Sequence, residues 1–125
     1  MEIREAHFPR RAPLDAYGNG GFRFAEMSHR GSLLCLPSGI YGWNFTEFSQ
    51  LDLTSFEKVL AESDDVEVLL IGTGPELRPI PEEIKQAFRE AGIISDSMST
   101  GAAVRTFNVM LSEDRAVAAA VLAVD

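Results

Sequence analysis

The sequence is poor in the residues that build redox and metal sites. Its 125 residues include one cysteine, Cys35, and two histidines, His7 and His29. A single cysteine cannot form a disulfide within the chain, and the apolar neighbours in residues 33–36 predict a buried, unreactive thiol. No spacing of histidines with cysteines or carboxylates is typical of a metal site. We therefore predict no metal and no cofactor, and we expect both histidines on the surface.

Long apolar runs are also missing. None approaches the roughly 20 residues that cross a bilayer. The first eleven residues carry charges and are not followed by the apolar core of a signal peptide, which predicts a cytoplasmic location. No repeat or low-complexity segment appears, and the length fits one domain over residues 1–125.

Positive charge is scarce and unevenly placed. The formal net charge is −8, from 11 basic and 19 acidic residues. Residues 1–30 hold five arginines and four acids, whereas residues 31–125 hold six basic and fifteen acidic residues. Such an acidic body argues against binding to nucleic acid or to anionic lipid.

Catalytic motifs are scarce as well. Ser38 is followed by Gly39, but the Gly-x-Ser-x-Gly frame of a nucleophile elbow is missing. The paired acids lie at the ends of predicted elements, where solvation and helix dipoles account for them. The sequence therefore indicates no catalytic residues and leans against an enzyme.

The most informative stretch that is present is the aliphatic run of residues 66–71. It predicts a buried strand and leads into the loop Gly72-Thr73-Gly74-Pro75. A helix over residues 81–92 follows, because Pro81 suits the first helical position and Gly92 suits the C-terminal cap. This order is half of an α/β unit, in which ligands often bind at the carboxyl ends of strands.

The first third of the chain predicts an antiparallel meander after an extended arm that ends near Pro13. The predicted turns are residues 17–21, 28–31 and 37–39. The predicted strands are residues 22–24, 32–36 and 40–43. A first helix should follow, because Thr54 as N-cap with Glu57 three residues later forms a capping box.

The last third predicts two strands, residues 93–98 and 116–124, around an ambiguous segment. Residues 100–111 contain both a helical stripe and many strand formers. We predict a helix, because Ser99 or Thr100 can cap it. The continuous apolarity of residues 116–124 indicates an interior strand. The fold class is therefore α/β, with helices packed on a mixed sheet.

Two loops should meet at one edge of this sheet if residues 66–71 and 93–98 form parallel neighbours. Both precede helices, whose N-termini favour anions, and an arginine beside either loop can clamp a carboxylate or phosphate. The candidate ligand-binding residues are Gly72, Thr73, Gly74, Arg78, Ser99, Thr100, Gly101 and Arg105. The loop lacks the Walker and dinucleotide fingerprints. The alternative is that the glycines only make tight turns and the arginines only pair with acids.

Aromatic residues are concentrated before residue 50. Tyr41 and Trp43 lie in the predicted strand of residues 40–43, and Phe45 lies between this strand and the first helix. Exposed rings there would suit a protein–protein contact, whereas buried rings would only complete the core.

Several segments together resemble a small α/β family of unknown function, the Mth-type domain family. This family includes the mitochondrial complex I assembly factor 3 and the adipogenesis-associated Mth-domain protein. The resemblance runs from about Ile3 to Val124. The segments that carry it are residues 17–18, 21–24, 31–34, 37–39 with Trp43, 70–74, Pro81 with 91–93, 98–103, 106–111 and 115–117.

The resemblance implies a single three-layer domain with a mixed central sheet, and it supports a helix over residues 100–111. It implies no catalytic residues. The hypothesis that follows is a non-enzymatic protein-binding or assembly-factor-like module with an unidentified protein partner, and self-association stays open. The alternative is a small anion-binding protein or enzyme that uses the edge at residues 72–74 and 100–102.

Overall fold

The computed structural model describes residues 7–125, with side chains from Phe8 onward. The start of the predicted arm and of the predicted domain range, residues 1–6, lies outside the described residues, as does the side chain of His7. The strands are β1 (His7–Phe8), β2 (Ala16–Gly18), β3 (Gly21–Phe24), β4 (Met27–Arg30), β5 (Ser32–Leu36), β6 (Gly39–Trp43), β7 (Val68–Gly72), β8 (Ile94–Met98) and β9 (Val117–Val121). The α-helices are α1 (Glu57–Ala61), α2 (Glu82–Glu90) and α3 (Thr100–Ser112).

The strands form two sheets. Six of them lie in the order β1-β6-β5-β9-β7-β8, and β2, β3 and β4 form a separate antiparallel sheet. β7 runs parallel to both β8 and β9, while β5 runs antiparallel to β9 and β6. The predicted mixed central sheet and the parallel pairing of β7 with β8 are therefore confirmed.

The large sheet is the middle of three layers. One face is covered by α1, by the turn that precedes it and by α2. Their Val59, Phe56 and Phe88 share a core cluster with alternate residues of β7 and β9. The other face is covered by α3 and by the three-stranded sheet, which contribute Phe107 and Phe22 to a second cluster. The layered α/β prediction is confirmed.

The position of β9 between two core clusters explains why its sequence is apolar throughout. Ala118 and Ala120 point into the first cluster, and Val117, Ala119 and Val121 into the second. All five are fully buried, as a strand covered on both faces requires. The predicted interior strand is confirmed, although its ordered pairing stops at Val121.

The predicted helices at residues 81–92 and 100–111 are confirmed. α2 ends in a Schellman motif: Gly92 has a φ of +81°, and the N–H of Ile93 donates to the Phe88 carbonyl. α3 begins at the expected cap, because the Ser99 side chain accepts from the N–H of Ala102.

The predicted turn at residues 28–31 is wrong for most of its length. Residues 27–30 form β4, and the chain turns instead at Ala25 and Glu26, with φ values of +49° and +64°. The first part of the predicted turn at residues 17–21 is also strand, since Ala16–Gly18 form β2. The turn at Ala25 and Glu26 has no signal in the sequence, because positive φ normally selects glycine or asparagine. The meander is consequently split between the two sheets.

The predicted cap of the first helix is also wrong. A 3₁₀ turn over Leu53–Phe56 precedes α1, and Asp52 caps this turn by accepting from the N–H of Ser55. The N-cap of α1 itself is Phe56, which makes no side-chain cap. The Thr54 hydroxyl donates to the Asp52 carboxylate instead of capping the helix itself. Similarly, the strand predicted from residue 66 begins at Val68, because Ser63–Asp65 form a short 3₁₀ helix.

Candidate functional site

The loop after β7 is organised by one threonine hydroxyl. Thr73 Oγ1 lies 2.6 Å from the Glu76 carbonyl oxygen and accepts the Arg78 N–H at 2.9 Å. The Thr73 N–H donates to the carbonyl of Met98 at the end of β8. These bonds fix the course of residues 73–78 and determine where the Arg78 side chain begins.

The two loops predicted to meet do lie side by side, and they are bonded to each other. The Thr100 N–H donates to the Gly74 carbonyl at 2.8 Å, and Thr100 Oγ1 accepts the Gly74 N–H at 3.1 Å. The same hydroxyl donates to the Leu122 carbonyl at 2.7 Å. Gly72 is packed below this junction, since a Cβ there would lie 3.0 Å from Thr100 Cα. Direct contact thus fills the space between the loops.

An open cleft of about 330 Å³ lies on the other side of the β7 loop. It is lined by Thr46, Glu47, Phe48, Ser49, Thr73, Gly74, Pro75, Glu76, Arg78, Leu122 and Ala123. The Arg78 guanidinium carbon lies 5.6 Å from the centroid of the Phe48 ring, which positions the cation at the cleft wall. Three of the predicted ligand residues, Thr73, Gly74 and Arg78, therefore share one cleft.

The other predicted ligand residues lie elsewhere. Ser99 and Thr100 are engaged in the cap and in the loop junction. Gly101 lies beneath the Tyr17 ring, where a Cβ would come within 2.4 Å of the hydroxyl oxygen. Arg105 is exposed one turn further along α3 and does not line the cleft. The structure does not bring Arg78 and Arg105 together in one cleft.

The second wall of the cleft, residues 46–49, was not predicted from the sequence. This segment reaches the β7 loop only through the tertiary fold, and it adds Glu47 to the lining that includes Arg78. Only the aromatic character of Phe48 gave a signal in the sequence. With Glu47 and Glu76 beside Arg78, the cleft carries both signs of charge.

The three candidate interface aromatics occupy different environments. Trp43 is 5% exposed, and its Nε1–H donates to the Ser55 carbonyl at 2.9 Å. It is therefore a core residue and offers no surface contact. Tyr41 and Phe45 are half-buried above it, on the face that α1 covers.

The single cysteine is buried in an apolar setting. Burial raises the pKa of the Cys35 thiol to about 12. Within residues 8–125, no group of three or more His, Cys, Asp or Glu side chains is arranged to hold a metal ion. His29 lies in β4 opposite Phe22, away from the cleft.

Comparison with known proteins identifies the family. Residues 14–122 match the family described as "Protein of unknown function (DUF498/DUF598)". The chain belongs to this family. Two relatives illustrate the similarity. An uncharacterized protein of Rhodobacter capsulatus is 36% identical over 98% of this chain and 93% of its own length. The NADH dehydrogenase [ubiquinone] 1 alpha subcomplex assembly factor 3 of Mus musculus is 25% identical over 98% of this chain.

Solved structures show the same fold. An outer membrane protein from Bartonella henselae has a TM-score of 0.92 and 63% identity, covering 95% of this chain and 100% of that one. A Mth938-like domain from Bordetella pertussis has a TM-score of 0.80 at 20% identity, over 98% of this chain and 92% of that one. The family resemblance predicted from the sequence is confirmed. Among residues 7–125, no helix combines the length and apolarity needed to cross a membrane.

Proposed function

We propose that the protein is a non-enzymatic protein-binding module that assists the assembly of a larger complex. The observation that carries the proposal is the relationship to a named assembly factor across nearly the whole domain. The chain spans 66% of the length of that mouse protein, so the shared part is this domain. A subunit or subassembly of NADH dehydrogenase is the partner that this relationship suggests.

Tyr41 and Phe45 form the contact surface that we propose for this partner. The Tyr41 hydroxyl lies 2.6 Å from Ser38 Oγ, and the Lys58 ammonium lies 4.6 Å from the Tyr41 ring centroid. The Phe45 ring meets Trp43 edge-on with centroids 5.6 Å apart. Rings that are already held in place lose little conformational entropy when a partner covers them, which favours binding.

The test is affinity purification of the tagged full chain after cross-linking in the cells that make it, with quantitative mass spectrometry of the recovered proteins. We expect NADH dehydrogenase subunits with the wild type, and a loss of about tenfold with the double variant Tyr41→Ser/Phe45→Ser. Val109→Ser is the matched control, because Val109 is 56% exposed on α3, across the sheet. Thermal melting checks that each variant is folded. Equal recovery by the double variant would remove this surface from the proposal.

A second function, binding of a small anionic ligand, is favoured by the position of Arg78 in the cleft. Arg78 is fixed at its backbone by Thr73 and at its guanidinium by Phe48. We propose that this cleft, with Thr73, Gly74 and Arg78, accepts a carboxylate or phosphate group.

Thermal melting with millimolar phosphate, citrate and glutamate tests the cleft. A ligand present at a hundred times its Kd stabilises the folded state by about 2.7 kcal/mol. Arg78→Gln should abolish that shift, while Arg105→Gln, at the other predicted arginine, should retain it. The absence of a shift with every ligand would contradict the cleft proposal.

The cytoplasmic location stays a prediction, and self-association stays open. Fractionation of cells that express the tagged chain tests the location, and recovery with the outer membrane would contradict it. Light scattering at several protein concentrations measures the mass of the protein in solution and so tests self-association.

A further inference from the structure

The three-stranded sheet carries two exposed arginines on a molecule that is otherwise acidic. The side chains of Phe22 and Phe24 point into the core, so Arg23 between them lies on the outer face. Arg30 is also exposed, at the end of β4. The whole chain has a net charge of −8. The strand residues that share this outer face include both arginines and no acid: Ala16, Gly18, Gly21, Arg23, Ser28 and Arg30.

The register explains why a groove separates these arginines. Arg23 lies opposite Ala16 and Ser28 on the neighbouring strands. The next row on the same face consists of Gly18, Gly21 and Arg30, so two of its three positions lack a side chain. A Cβ added to Gly18 would meet nothing within 4 Å, whereas one at Gly21 would lie 2.1 Å from the His29 carbonyl oxygen, so the open space lies over Gly18. The result is an open groove of about 350 Å³ that both arginines line.

Neither arginine is neutralised within residues 8–125. The ion pairs of this part of the chain use Arg11, Arg89 and Arg115. Arg23 and Arg30 make no ion pair there, although the chain has 19 acidic residues. Both guanidinium groups therefore keep their full capacity to bind carboxylates in bidentate fashion.

The backbone of β4 can also contribute to binding, through N–H and C=O groups at its outer edge. Within residues 7–125, β4 pairs with β3 alone. The Gly31 N–H donates to the Gly20 carbonyl at 2.7 Å, which sets the alternation of the ladder. By this alternation, the N–H and C=O groups of Ser28 and Arg30 point to the free edge. An extended peptide can add to such an edge by main-chain hydrogen bonds.

We propose that the β4 edge binds an extended acidic segment of a partner protein, with its carboxylates on Arg30 and Arg23. This inference rests on the protein-binding function proposed above and assigns it a second surface and a partner chemistry. Side chains at alternate positions of an added strand share one face, so alternating acids would reach both arginines. A membrane surface is a poorer occupant, because two arginines contribute little attraction against a net charge of −8.

A labelled peptide of about twelve residues that alternates glutamate and threonine tests the edge by fluorescence anisotropy with the full chain. We expect binding at low salt that weakens as salt rises, and a loss of about tenfold for Arg23→Glu/Arg30→Glu. Lys85→Glu/Arg115→Glu changes the net charge equally and should bind as the wild type does. A peptide methylated on alternate backbone nitrogens should bind more weakly, because it cannot complete the ladder.

Several outcomes would overturn the inference. These are no binding up to about 1 mM peptide, equal loss in both charge-reversed variants, and full binding of the methylated peptide. Tighter binding of pyrophosphate than of peptide would indicate a small-anion site instead. Sedimentation of the protein with phosphatidylglycerol vesicles would indicate a membrane surface.

The cross-linking experiment separates this inference from the function on which it rests. If NADH dehydrogenase subunits are recovered equally by the wild type and by Arg23→Glu/Arg30→Glu, the protein-binding function stands and the edge proposal falls. If the wild type recovers none of them while the peptide binds as expected, the assembly role falls and the acidic-segment site stands.

Discussion

Two buried threonine hydroxyls join the ends of the central strands. Thr73 fixes the loop that carries Arg78, and Thr100 connects that loop to the end of β9 through Leu122. The sequence suggested that these threonines could be ligand contacts. In the structure both hydroxyls have protein partners, because the backbone groups that leave a sheet edge need hydrogen bonds when they are buried.

Replacing Thr100 tests this role. Thr100→Val keeps the shape of the side chain but leaves the Gly74 N–H and the Leu122 carbonyl without their buried partner. We expect the free energy of unfolding to fall by about 2–4 kcal/mol, whereas Thr100→Ser should lose about 1 kcal/mol with its methyl group. Urea denaturation measures both. Equal stability of the two variants would show that the hydroxyl contributes nothing.

Because Cys35 is buried, we expect the free energy of unfolding to fall at alkaline pH. Burial raises the pKa of this thiol to about 12 in the folded state. An unfolded thiol ionises near pH 8.5, so above that pH the unfolded chain binds fewer protons than the folded one and stability falls, by about 1.4 kcal/mol per pH unit. Unfolding in urea between pH 9 and pH 11 should therefore show a shallower decline for Cys35→Ala, and an unchanged decline would contradict the burial.

Helices and strands were predictable where local chemistry determined them. The Pro81 to Gly92 pattern located α2, and the alanine-rich apolar run located β9. The turn at Ala25–Glu26 was not predictable, because tertiary packing imposes positive φ on residues that disfavour it. Only one wall of the cleft was predictable from the sequence, because only that wall is formed by a single local segment. Residues 72–78 are one local loop, but residues 46–49 reach it only in the folded chain.

The cap before α1 provides a direct comparison of the sequence prediction with the structure. Asp52→Ala should destabilise the protein more than Thr54→Ala, because Asp52 accepts from the Ser55 N–H. Hydrogen bonding, first from the Thr54 side chain, lowers the pKa of Asp52. Its contribution is therefore present above the unfolded pKa of about 3.9 and is lost as pH falls through the folded pKa.

Thermal melting from pH 2 to pH 7 measures this effect. Asp52→Asn should lose less stability in acid than the wild type does, because its cap does not titrate. A greater loss with Thr54→Ala than with Asp52→Ala would instead support the cap that the sequence predicted.

The three layers divide the molecule into a buried body and distinct surfaces. Tyr41 and Phe45 lie on the α1 side of the large sheet. The three-stranded sheet with Arg23 and Arg30 covers the opposite face. The proposed functions thus use separate surfaces, which allows each to be altered without the other.

Trp43 connects the proposed surface to the core. Its ring packs on Phe56 with centroids 5.5 Å apart, and Phe56 in turn meets Phe88 of α2. Trp43→Ala should therefore lower the free energy of unfolding by about 3–5 kcal/mol. Urea denaturation should show a much smaller effect for Phe45→Ala, whose ring is only half-buried. Equal losses in the free energy of unfolding for the two variants would contradict the difference in burial between the two rings.

The assembly role is tested most directly in cells that lack the gene, by resolving NADH dehydrogenase on native gels. We expect incomplete subassemblies to accumulate. The wild type and Arg78→Gln should restore the full complex, whereas Tyr41→Ser/Phe45→Ser should not. A full complement of assembled enzyme in the deletion strain would contradict the assembly role.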